Sequence, residues 1–209
     1  MKTKPEMNNT SYDSWTKFLN PETLQTNLIC VGIFLSSYET LKDSIVDHIR
    51  SFYMDGFDKD GPTLSPKYEA EVLVLDAKRD VLRSSIAWLK QNQVINQNDE
   101  RIFYELKKHR NELAHELPKF LSDSKRQVQL SKITDLVDLV VKIDRWWIIN
   151  FELAIQDEID PSQVDENKIT SGRMLFLRLL LEIATGNQTA NFYEEFVKRT
   201  AANQSTTSK

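Results

Sequence analysis

A chain of 209 residues that is 40% hydrophobic can bury one good core and is just long enough for two small ones, so one domain with ragged ends is expected. A formal net charge of -4 excludes a globally basic nucleic-acid coat and leaves only a local basic patch for a phosphate-rich partner. With 5 glycines and 6 prolines, the chain lacks both the turn vocabulary of a β-sandwich and the glycine loops of a nucleotide-binding α/β fold, which leaves helices.

Residues 1–20 read as a polar arm ending in Asn20-Pro21-Glu22, where Asn20 suits the helix cap and Pro21 the first helical position. Trp15 and Phe18 are the side chains by which this arm would dock. From Glu22 to Tyr53, Leu24, Leu28, Val31, Leu35, Tyr38, Leu41, Ile45, Ile49 and Phe52 recur at helical spacing, predicting one long helix. Gly32 and Ser36-Ser37 are the places where it would break. The stretch "MDGFDKDGPTLSP" reads as a loop, and "KYEAEVLVLDAKRDVLRSSIAWLKQNQ" as a second amphipathic helix carrying Trp88. A third helix starts at Asn98 or Asp99, and Pro118 is expected to end it within a residue or two.

Beyond the linker "SDSKRQVQL", Leu130 to about Ile155 reads as another helix, with Ile133, Leu136, Val137, Val140, Ile143, Trp147 and Phe151 on its apolar face. An acidic connection then leads to "RMLFLRLLLEIA", expected as a short buried helix, and "NFYEEFVKR" adds a turn or two. Residues 21–199 therefore form a single helical domain, an all-α bundle of about four long helices, and residues 200–209 a frayed tail. Cys30, the one cysteine, lies in "LICVGIFL" and reads as a small buried hydrophobe. No apolar leader segment and no run of eighteen or so apolar residues stands out, so no membrane association and a cytoplasmic setting are expected.

The chemistry is concentrated in "YELKKHRNELAHEL", residues 104–117. At 100° per residue, Ile102, Leu106, Leu113 and Leu117 form one stripe, and Arg110 falls about 40° from its centre. A charge in low dielectric must be paired, so Arg110 requires a carboxylate, a helix C-terminus, a second subunit or a bound anion. Asn111 and His115 stand four apart, close enough for the amide to orient the imidazole. Imidazole can take and give a proton near neutrality, and a guanidinium matches phosphate oxygens and stabilises charge gathering on them. Attack on a phosphodiester by the ribose 2′-OH suits such a set, because RNA then supplies its own nucleophile and no cofactor or metal is required. Both an acid and a base help that reaction, so a homodimer placing a second Arg110 and His115 across a two-fold is expected.

The stretch "RNELAH" resembles the R-polar-x-x-x-H signature of the HEPN superfamily, and a helical bundle with the motif late in an interior helix is similar to that fold over about residues 22–155. The resemblance implies a metal-independent ribonuclease of toxin, phage-defence or RNA-processing type that dimerises so that two motifs line one cleft. It implies Arg110 on the scissile phosphate, His115 in proton transfer or phosphate contact, and Asn111 as the accompanying polar residue. Lys107, Lys108 and His109 are expected to contact substrate, with His109 about 100° round from Arg110 at the surface or behind the motif, and Glu112 and Glu116 to modulate His115 or Arg110. A separate antitoxin or regulatory protein is the expected partner besides RNA. Some members of the superfamily keep the fold without the activity, so a non-catalytic dimeric scaffold or a nucleotide-, RNA- or protein-binding module is the alternative. So is a plain structural ion pair of Arg110 with Glu112, Glu116 or an acid on another helix. The positive balance of residues 101–126 fits a phosphate-rich ligand, although such clusters are most often solvated faces. His48 reads as a packing or capping histidine, and Trp146-Trp147 as a pair with at least one face in the core.

Overall fold

The computed structural model describes residues 9–154 and 164–185; the first half of the expected acidic connection falls outside them, and "NFYEEFVKR" and the tail entirely so. Among the described residues, seven α-helices make an all-α bundle with one small hairpin: α1 (Asn9–Leu19), α2 (Pro21–Phe52), α3 (Pro66–Glu71), α4 (Val81–Gln91), α5 (Gln97–Ser122), α6 (Leu130–Trp147) and α7 (Gly172–Ala184). The start of α2 follows the reading of its sequence. Asn20 accepts from the Thr23 N–H, Pro21 occupies the first turn, and the helix then runs unbroken through Gly32 and Ser36-Ser37.

Helix α2 is the axis of the bundle. Phe34, Tyr38, Leu41, Ile45 and Ile49 are buried against Leu106 and Leu113 of α5, Leu136, Val140 and Ile143 of α6, and Ile86 and Leu89 of α4. Each fully buried aliphatic or aromatic side chain contributes roughly 1.5–3 kcal/mol, so this contiguous set of buried residues is what holds α5 in place. Beneath the C-terminal end of α2, Trp88 stacks on Trp147 with centroids 5.7 Å apart, and Trp88 Nε1 donates to the Tyr53 hydroxyl. The buried face of the Trp146-Trp147 pair is Trp147.

Several local expectations are corrected. Residues 54–64 are a hairpin, β1 (Met54–Asp58) and β2 (Gly61–Leu64), rather than a plain loop. Its register places Phe57 opposite Pro62 and Asp58 opposite Gly61, whose φ of +126° suits the tight turn. The helix expected over "KYEAEVLVLDAKRDVLRSSIAWLKQNQ" is two, α3 and α4, joined by a 3₁₀ turn at Leu73–Leu75 and an Asp76 turn. Asp76 accepts the Lys78 and Asp80 N–H groups, Arg79 adopts a φ of +53°, and Asp80 caps α4 by accepting from the Arg83 N–H. These side-chain bonds offer the backbone an alternative to the helix ladder, and the apolar periodicity running through them is blind to that competition.

Third, α5 does not stop at Pro118. It begins with a capping box of Asn96 and Asp99, kinks at Glu116 (φ -120°, ψ 22°), and continues to Ser122. Proline lacks the N–H that Ala114 would have received and crowds that carbonyl, so the helix bends there and resumes. Fourth, α7 is not buried all round. Met174 and Leu177 face the core while Leu175, Phe176 and Ile183 are exposed. Cys30, expected to be buried, is only half-buried.

Candidate functional site

Helix α5 carries the motif along one side of the bundle, and α2 supplies the floor beneath Arg110. Arg110 Nη2 donates to Glu39 Oε1 on α2 at 2.9 Å, and Glu39 Oε2 accepts from Lys42 Nζ at 2.7 Å. The guanidinium carbon lies 5.8 Å from the Tyr38 ring centroid, a cation–π contact. The Lys42 hydrogen bond is the largest influence on the Glu39 carboxyl; burial opposes it, the Arg110 hydrogen bond supports it, and together they hold the group below the usual carboxylate range. Burial pushes the Tyr38 hydroxyl up to about 12, with Arg110 pulling the other way and Glu39 adding to the rise. The Arg110 side chain is still 36% exposed, so its charge is partnered without being sealed.

Of the partners proposed from sequence for Arg110, the acid on another helix is the one found, 71 positions away. Glu112 instead faces His109 Nδ1 at 3.7 Å and Lys108 at 4.0 Å, and Glu116 accepts from Lys119 and Arg126. Asn111 departs from expectation as well. Its Oδ1 is 3.5 Å from Arg110 Nη1, and it makes no hydrogen bond to His115 among the described residues.

His115 is exposed, just before the kink, and makes no hydrogen bond or ion pair among the described residues. Its imidazole is therefore open to an incoming group. Five residues on an α-helix amount to about 140° of rotation and about 7.5 Å of rise, so Arg110 and His115 are presented to different sides of α5. Lys107 is half-buried and lies on the Arg110 flank at i-3, whereas Lys108 is exposed about 200° round from Arg110 and faces Glu112.

His109 is placed inside the protein and not at the surface. It is 4% exposed, with the Phe34 ring 4.9 Å and the Phe120 ring 5.8 Å away, each edge-on, and its Nε2 has no hydrogen-bond partner among the described residues. Burial lowers its pKa, Lys132 lowers it further, and Glu112 opposes. The sequence held the signal: His109 stands at i+3 from Leu106 and i-4 from Leu113, both fully buried.

A second polar cluster went unread in the sequence. Asp144 of α6 is fully buried and accepts from Ser44 at 2.6 Å and Ser171 at 2.5 Å, with His48 Nε2 3.0 Å from its Oδ1. Arg173 Nη1 is 3.1 Å from the same His48 nitrogen and 4.0 Å from Asp144, while Arg173 Nη2 reaches Asp47 at 3.3 Å. His48 stacks on Trp147. Serine, histidine and aspartate meet here, but both hydroxyls donate to the carboxylate and neither to the imidazole, so no base is placed to activate a nucleophile. Burial acts to raise the Asp144 carboxyl, and the hydrogen bonds from His48, Ser171 and Ser44, with the charge of His48, outweigh it and leave it below its ordinary value. The cluster ties α2, α6 and the start of α7 together. No single segment of sequence holds more than a fragment of it.

Among the described residues, no group of three His, Cys, Asp or Glu side chains is placed to hold a metal ion, and no helix is long and apolar enough to cross a membrane. Comparison with protein-family models, with curated proteins and with solved structures finds no match to this chain. The site therefore has to be interpreted from its own geometry.

Proposed function

We propose that this chain is a metal-independent RNA endonuclease of HEPN-like fold, cleaving by attack of the ribose 2′-OH on the adjacent phosphodiester. The observation that carries this reading is the pairing, on one helix, of a half-open guanidinium anchored from below by Glu39 with an exposed, unengaged imidazole at His115. In this reading Arg110 contacts the scissile phosphate and stabilises its developing charge, and His115 transfers a proton. Asn111 holds the outer edge of the guanidinium. The divergence of the two side chains round α5 supports a two-fold arrangement in which Arg110 of one copy and His115 of another serve the same phosphate. Lys107 is the neighbouring cation best placed to assist.

The Arg110–Glu39 ion pair favours a second reading. A guanidinium already paired within its own chain fits a non-catalytic dimeric module, binding RNA, a nucleotide or a regulatory protein such as an antitoxin. Cleavage of mixed structured and single-stranded RNA in EDTA, by wild type and by folded Arg110→Ala and His115→Ala proteins, separates the two. Fragments ending in 2′,3′-cyclic phosphate, lost by about 100-fold or more in both variants, are expected. Wild type that is inert, or variants that retain its activity, would leave the binding module as the function.

A further inference from the structure

Glu39 sits where a phosphate-binding site should least tolerate it: an anion within 2.9 Å of the group meant to receive the substrate anion. Two features make it more than an accidental neighbour. Its two oxygens are both engaged, one on Arg110 Nη2 and the other on Lys42 Nζ, so the carboxylate is held from both ends and has little freedom to swing away. The guanidinium it meets is bounded again by the Tyr38 ring, and Arg110 Nε is buried without a partner among the described residues, which leaves Nη1, with only Asn111 Oδ1 at 3.5 Å, as the nitrogen not committed to a carboxylate.

Resting on the ribonuclease reading, we propose that Glu39, clamped by Lys42, is a positioning residue that holds Arg110 Nη2 and so presents Nη1 to the scissile phosphate. Glu39 acts only through Arg110. A free arginine samples many rotamers, and fixing it in advance removes that entropic cost from the transition state. The same carboxylate repels the substrate in the ground state. Loss of its charge therefore moves binding and turnover in opposite directions, which a merely structural residue would not do.

The test is a double-mutant cycle of Glu39→Gln with Arg110→Ala, with kcat and KM measured on a short RNA and affinity measured on the same RNA carrying a 2′-deoxy group at the cleaved position. Glutamine keeps the shape and one acceptor, and Glu39 is 41% exposed, so the fold is retained; Glu39→Asp provides a second variant. In Glu39→Gln, kcat is expected to fall about 10- to 100-fold, while KM and the deoxy-RNA dissociation constant stay level or drop up to about fivefold. In the Arg110→Ala background the same substitution should change kcat by less than about twofold, because the residue it positions is gone. Equal losses in both backgrounds, or a kcat that rises when the charge is removed, overturn the positioning role while leaving the ribonuclease reading intact. Wild type inert on every RNA overturns the ribonuclease reading itself, and this inference with it.

Discussion

The two polar clusters of this protein use similar side chains to opposite ends. Around Asp144 a carboxylate, an imidazole, a guanidinium and two hydroxyls converge from three helices, and the carboxylate is fully buried. Around Arg110 a carboxylate and a guanidinium also meet across two helices, but both are more than a third exposed and the nearby imidazole is left unengaged. The difference is one of completion. A buried charge must have its partners supplied by the protein itself, whereas a partly solvated one can keep donors in reserve for something that arrives later. The Asp144 cluster is architecture for that reason, and the Arg110 face is where binding or chemistry is to be sought.

That contrast is most severely tested by stability. Asp144→Ala strips the partner from His48, Arg173, Ser44 and Ser171 at once, and removing one member of a buried ionic group typically costs about 3–5 kcal/mol. Glu39→Ala breaks a half-exposed pair and should cost less than about 1 kcal/mol. Urea unfolding of the two variants, read by far-ultraviolet circular dichroism, should separate them clearly. Equal losses would mean that the two clusters do the same structural work and that the comparison is mistaken.

Acid sharpens the comparison further. The folded Asp144 carboxyl is held below its ordinary value, so its contribution is complete above the unfolded value of about 3.9 and is lost as pH falls through the lower folded one. His109 acts at milder acidity. Its folded pKa is lowered, so the unfolded chain takes up its proton first, near pH 6.5, and stability declines below that until the folded imidazole also protonates. His109→Leu removes the orphaned Nε2 from between Phe34 and Phe120, relieving about 1 kcal/mol at neutral pH, and should flatten the fall in urea midpoint between pH 7 and pH 5. An unchanged slope would show that another group dominates that range.

How far these features were legible depended on how local their causes are. The cap of α2, the 32-residue run of α2 and the R-N-x-x-x-H spacing are set by residues within a few positions of one another, and each could be read directly, whereas the start of α5, expected at Asn98 or Asp99, is set by the Asn96–Asp99 capping box. The split between α3 and α4 is local too, but its cause is Asp76 capturing backbone N–H groups, which hydrophobic periodicity does not register. The kink at Glu116 follows from Pro118, and reading proline as a terminator rather than a bend was the error. His109 was legible too, since at 100° per residue it lies about 50° from the centre of the Ile102, Leu106, Leu113 and Leu117 stripe, about as near as Arg110 on the opposite side; its angle to Arg110 alone does not show this. Glu39 and Asp144 lay beyond reach, since their partners are 71 and 100 positions away and nothing in one segment names the other.

The most local expected effect concerns how the N-terminal helix is attached. Lys17 of α1 donates to the carbonyls of Phe120, Asp123 and Arg126 at 2.7, 2.9 and 2.5 Å, placing an ammonium against the negative end of α5. Burial lowers its pKa and Asp123 raises it, with burial the larger influence. Apolar contact alone cannot hold α1 firmly, because Tyr12, Trp15 and Leu19 remain largely exposed. Lys17→Met keeps the length of the side chain and removes its donors, so the loss should be about 1 kcal/mol and confined to α1 and the last turn of α5. Hydrogen exchange is the suitable measurement, with faster exchange expected in residues 9–19 and near Ser122, and none in the Asp144 cluster. Acceleration spreading into α6 and α7 would mean that α1 supports the whole bundle; no acceleration anywhere would mean that its contacts with α2 suffice. Either result would also bear on the motif, because the segment Lys17 pins lies immediately beyond the kink that follows His115.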